Sequence, residues 1–169
     1  MTEAELEILY RDERFVAVNK PPGLLVHRSG LDRGETRFAV QLLRDQIGQR
    51  VYPLHRLDKP TSGVLLFALS PAAARDYGAI AGQVRKTYLA VVRGYPPLAG
   101  RIDHPLREQW DPLAGHLPRE EAPVRAAVTD FRRLATVELP VRVDRYPTSR
   151  YALVAVCPQT GRRHQIRRH

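Results

Sequence analysis

Redox, metal and membrane chemistry are poorly provided for in this sequence. Its 169 residues hold one cysteine, one methionine and one tryptophan. The single Cys157 excludes an intrachain disulfide and any multi-cysteine zinc site, and its apolar, strand-like setting predicts a buried, inert thiol. The six histidines show no metal-ligand spacing. There is no glycine-rich phosphate loop and no dinucleotide fingerprint. No signal peptide, lipidation motif or membrane-spanning apolar run is seen, so a cytoplasmic protein with no membrane partner is expected. Internal repeats, low-complexity segments and linkers are also missing. A reaction that uses neither metal nor cofactor fits this composition.

Positive charge is abundant. Lys and Arg number 27 against 18 Asp and Glu, a net +9, which suits a polyanionic partner, nucleic acid before others. Arg162, Arg163, Arg167 and Arg168 concentrate part of that charge within one short segment. The length suits one domain with a real core.

Short strands are predicted over 6–10 and 15–19, around the turn Arg11-Asp12-Glu13-Arg14. Lys20-Pro21-Pro22-Gly23 then opens a loop. Thr36 is placed to cap a helix carrying Ala39, Leu42, Leu43 and Ile47, with Gly48 as its stop. Val64 to Leu69 reads as a strand buried on both faces. Ser70-Pro71 reads as an N-cap followed by proline at the first helical position, opening an alanine-rich helix weakened by Gly78 and Gly82. Strands are predicted over 87–92, 101–106, 126–139 and 151–157, with a polar, irregular loop over 107–124 and a basic connection over 142–150. This pattern predicts an α+β domain on a mixed, largely antiparallel sheet, with helices and loops flanking it.

The most informative segment is His55-Arg56-Leu57-Asp58-Lys59-Pro60-Thr61-Ser62-Gly63. It sets one carboxylate between two cations, on a turn anchored at the edge of a rigid core, where functional residues concentrate. From the residues alone, an Asp58–Arg56 ion pair on a surface turn fits as well. The whole string resembles the signature of RluA-type pseudouridine synthases. Three further segments resemble the same family, in the same order: Val18 to His27, Lys86 to Gly94, and Thr160 to Arg167.

The resemblance implies the pseudouridine synthase catalytic fold over 1–169, with no separate N-terminal RNA-binding domain. Family members run on past the third motif, with strands and an apolar segment that complete the uridine pocket. The sequence is therefore expected to be cut short at its C-terminal end, inside the helix that the third motif begins. The implied reaction isomerises uridine in RNA with no cofactor and no metal. Asp58 is the implied catalytic carboxylate, with three routes open: attack at ribose C1′, removal of the 2′ proton, or attack at C6 of the base. Arg167 is implied as its counter-charge. Tyr88 is implied to stack on uracil or help remove the C5 proton. Arg56 is implied to enter the space left by the flipped base, and phosphate binding is nearly as good a reading. Lys86, Arg162, Arg163 and His164 are expected to hold phosphates. His55 is expected to orient the Asp58 loop, with Thr61, Ser62 and Gly63 shaping the turn.

Segments 27–29, 45–49, 134–140 and 145–151 resemble a branch that modifies a tRNA uridine at the end of the T stem, beside the acceptor stem. The expected partner is tRNA, with His27 and Arg28 among the RNA contacts and the protein a monomer. Three alternatives stand beside this: a ribosomal RNA synthase, a non-catalytic RNA-binding module, and a nuclease. The nuclease is disfavoured, because Asp58 lacks the neighbouring carboxylates that would hold a metal.

Overall fold

The computed structural model describes residues 5–28, 34–108 and 122–169. Ser29 and most of the loop expected over 107–124 lie outside them. The chain forms two compact units, residues 1–84 and 85–169.

The first unit is built on a four-stranded antiparallel sheet of order β1-β2-β4-β3. Its strands are β1 (Glu7–Arg11), β2 (Phe15–Lys20), β3 (Tyr52–Pro53) and β4 (Gly63–Ala68). Val16 and Val18 of β2 and Leu65 and Phe67 of β4 form its buried face. Helices α1 (Ala39–Ile47) and α2 (Pro71–Ile80) bury Ala39, Leu43, Ala73 and Tyr77. Gly48 ends α1 in the left-handed conformation (φ 66°), as expected of a stop glycine. Its start differs from expectation. The N-cap is Phe38, not Thr36, with no side-chain cap. Backbone bonds from Ala39 N and Val40 N to the carbonyls of Leu25 and Val26 satisfy the first turn instead. The strand expected to be buried on both faces is only partly so, since Val64 is 59% exposed.

The second unit holds a four-stranded antiparallel sheet of order β5-β10-β9-β6 and a two-stranded ribbon, β7-β8. The strands are β5 (Tyr88–Arg93), β6 (Ala99–Asp103), β7 (Leu106–Arg107), β8 (Val124–Arg125), β9 (Val128–Leu139) and β10 (Ser149–Pro158). Period-two burial of Ala152, Val154 and Val156 on central β10 makes the core, against Tyr88, Ala90 and Val92 of β5 and Ile166. A short helix, α3 (Gln165–Arg168), follows β10. Cys157 is half-buried rather than buried, with Thr87 Oγ1 3.6 Å from its sulfur.

The α+β class holds. Every pairing between named strands is antiparallel. Parallel character among the described residues is confined to one isolated bridge, Leu25–Phe38.

Helix α2 starts where Ser70 Oγ accepts from Ala73 N at 3.1 Å, with Pro71 at the first position. Ser70→Ala is expected to cost about 1 kcal/mol, read as a lower urea midpoint with an unchanged slope.

Candidate active site

The sequence-predicted residues fall into two groups, one in each unit. In the first unit, strand register sets up the Asp58 loop. Lys20 closes β2 directly opposite Gly63, which opens β4 at φ 119°. The loop leaving β2 and the loop entering β4 therefore begin side by side.

Lys20 joins them. It continues the inward face of Val16 and Val18, and its side chain is fully buried. Its Nζ donates to the carbonyls of Pro21 and Leu24, both at 2.8 Å, and of Lys59 at 3.4 Å. Gly23 N also donates to the Lys59 carbonyl, at 2.8 Å and with φ 83° at Gly23, a conformation glycine adopts without strain. Thr61 N donates to the Asp58 carbonyl at 3.0 Å, closing the turn. Burial lowers the Lys20 pKa, and the negative charge of Asp58 pulls it partly back. A buried ammonium thus lies within electrostatic reach of a half-buried carboxylate.

The neighbours of Asp58 have separate duties. His55 Nε2 accepts from Leu66 N at 3.2 Å, which ties the start of the loop to β4 and fits an orienting histidine. Lys59 Nζ pairs with Glu35 at 2.6 Å. Arg56, His27 and Arg28 are exposed. The Arg28 guanidinium lies 5.8 Å from the Phe38 ring centre. Desolvation and the positive charge of Arg56 hold His27 below the ordinary imidazole value.

In the second unit, Tyr88 opens β5, half-buried, and its register partner is Val156. Lys86 lies two residues before it, half-buried. The third motif is held by Gln165, which is buried. Its Oε1 accepts from Thr160 Oγ1 at 2.8 Å and Arg162 N at 3.0 Å. Its Nε2 donates to Val128 O at 3.0 Å and Thr129 Oγ1 at 2.9 Å. The amide is thereby saturated, and it presents Ile166 to the core and leaves Arg167 exposed. A cleft of about 750 Å³ is lined by Ala90, Val92, Val154, Val156 and Ile166, with Arg167 and Tyr95 also on its lining. An apolar floor with a guanidinium beside it suits a flat, polar-edged base.

Arg162, expected to hold phosphate, donates through Nε to Ala126 O at 2.9 Å, so part of its work is structural. Arg163 is exposed, and His164 stands in the left-handed conformation just before α3. Among the described residues, no group of acidic, histidine or cysteine side chains could hold a metal ion. No described helix is long and apolar enough to cross a membrane.

Lys20 and Gln165 escaped the sequence reading. Alternation along Phe15 to Lys20 was the available signal for Lys20, since 16, 18 and 20 share a face. Gln165 lies inside the third motif beside two of its partners, Thr160 and Arg162, but its burial depends on Val128 and Thr129, which are distant in sequence.

A family model described as RNA pseudouridylate synthase matches residues 14–169. The chain belongs to that family. It is 57% identical over 166 residues to tRNA pseudouridine synthase C of Pasteurella multocida, covering 97% of this chain and 68% of the relative. The corresponding protein of Vibrio cholerae is 52% identical, with the same coverages. Among solved structures, human RNA Pseudouridylate Synthase Domain Containing 1 superposes with a TM-score of 0.71 at 27% identity, over 99% of this chain and 66% of that one. Human RNA Pseudouridylate Synthase Domain Containing 4 gives 0.67 at 28% identity, over 95% and 62%. The chain thus spans about two thirds of the length of these relatives.

Two outcomes are expected. Lys20→Met removes the donor shared by the Pro21, Leu24 and Lys59 carbonyls and should cost roughly 3 kcal/mol, measured by urea unfolding. An unchanged midpoint would mean that water replaces the ammonium. The His27 imidazole should titrate below 6.5 by NMR and move upward in Arg56→Gln.

Proposed function

We propose that this chain carries the catalytic residues of a tRNA pseudouridine synthase that isomerises the T-stem uridine beside the acceptor stem. Both units belong to one catalytic domain on this reading, since the family match runs through both. The observation that carries it is the Asp58 turn, held by a buried ammonium at the ends of two core strands, in a chain more than half identical to proteins named tRNA pseudouridine synthase C.

The chemistry needs little beyond positioning and charge. The N1–C1′ bond breaks, the uracil turns, C5 bonds to C1′, and the C5 proton moves to solvent while N1 regains one. Atoms and electrons balance within the nucleotide, so no cofactor enters. Asp58 acts ionised on each of its three routes: at C1′, at the 2′ proton, or at C6. Arg167 is the cation assigned to it, and Tyr88 takes the stacking and proton-removal roles. Arg56 fills the stack after base flipping, which costs a few kcal/mol, offset by phosphate contacts. Lys86, Arg162, Arg163 and His164 supply such contacts, with His27 and Arg28 from the first unit. The enzyme works as a monomer in the cytoplasm.

Asp58→Asn keeps the volume and removes the charge. It should abolish pseudouridine formation in unmodified tRNA transcripts while leaving the unfolding midpoint and RNA affinity nearly unchanged. Carbodiimide primer extension is the readout. A stop at the T-stem uridine, lost in the variant, supports the reading. Modification of ribosomal RNA transcripts alone would replace the substrate and keep the chemistry, and full activity in the variant would remove Asp58 from it.

A further inference from the structure

The far end of the second unit's sheet carries an unusual surface. Beyond Arg93 and Tyr151, β5 ends and only β9 and β10 continue, paired as Glu138–Arg150 and Leu139–Ser149. On its other side, β9 pairs with β6 only through Arg132, followed by one bond from Arg133 N to Leu98 O. Leu134 to Leu139 therefore present a bare strand edge among the described residues.

The connection at this end is ordered. Ser149, buried, donates to Val141 O at 2.8 Å. Val143 and Tyr146 exchange backbone bonds of 3.0 and 3.1 Å around a tight turn, with Asp144 in the left-handed conformation at φ 54°. Arg142 Nε donates to Asp144 O at 3.0 Å. Two arginine–tyrosine contacts stand on this frame. The Arg145 guanidinium lies 5.2 Å from the Tyr146 ring centre, and that of Arg150 lies 5.6 Å from Tyr95. Both rings are exposed, Tyr146 at 54%. Glu138 is already occupied by Thr148 and Arg150.

We infer that this end of the sheet is a second RNA-contacting surface, which grips a part of the substrate remote from the reacting base. The inference rests on the function proposed above. Exposed tyrosines beside arginines suit unpaired bases and phosphates, and their ordering cost is largely met before binding. A protein strand is a poor occupant of the bare edge. Pro140, the Glu138–Arg150 ion pair and the register shift at Leu153/Val154 all obstruct strand addition. Tyr95 borders the cleft itself, while Arg145 and Tyr146 stand outside it. Tyr88 and Arg93 stand at opposite ends of β5, roughly 17 Å apart, and the turn leaves the sheet beyond Arg93. RNA held at both places must extend over several nucleotides.

The test compares the full chain with its Arg145→Gln/Tyr146→Ala variant on two RNAs: a whole tRNA transcript, and a hairpin trimmed to the stem and loop that carry the modified uridine. On the whole transcript, KM should rise about tenfold, kcat should hold, and the salt slope of binding should become shallower by about one. On the hairpin, the variant should match the parent. Equal rises on both RNAs, no rise on either, or a change in sedimentation in place of RNA affinity would each overturn the inference. If the parent protein modifies neither RNA, the proposed function itself falls.

Discussion

A single buried ammonium holds together the loop on which the candidate chemistry depends. Lys20 sits where the alternation of β2 would place a third valine, and its charge is removed from water entirely. Such a group is costly unless its protons are used. Here they are used on carbonyls from two separate loops, with the charge of Asp58 close by. The arrangement makes the geometry of the Asp58 turn part of the hydrophobic core. The loop cannot drift without stranding a cation under the sheet.

The second unit solves the corresponding problem with a neutral group. Gln165 spends both ends of its amide on Thr160, Arg162, Val128 and Thr129. A saturated amide carries none of the desolvation cost of a charge. It fixes the backbone just before Arg167, so the guanidinium can stay exposed at the wall of an apolar cleft. The two units thus display their motif side chains from buried polar anchors of different kinds, one charged and one neutral.

Several elements were legible in the sequence because their causes are local. Ser70-Pro71 starts α2 and Gly48 ends α1, both through backbone effects confined to one turn. Thr36 failed as a cap for a tertiary reason: the carbonyls of Leu25 and Val26 reach the first amides of α1 before any side chain is needed. Arg162 was read as a phosphate ligand from its motif, yet Ala126, distant in sequence, takes one of its donors. Val64 reads as core by hydropathy but lies at the exposed start of its strand.

What the sequence determined alone was the class of elements and the identity of the motifs. Strand alternation, capping residues and the four segments around Asp58, Lys20, Tyr88 and Arg167 are properties of neighbours along the chain. Only the tertiary structure decided that Lys20 is an internal clamp, that Gln165 anchors the third motif, and that arginines and tyrosines meet at the far end of β9 and β10. Each of these depends on partners brought together by strand register and loop closure. The reason is physical. A side chain's periodicity tells which face it shares, while its hydrogen-bond partners are chosen by whatever the folded backbone delivers to that face.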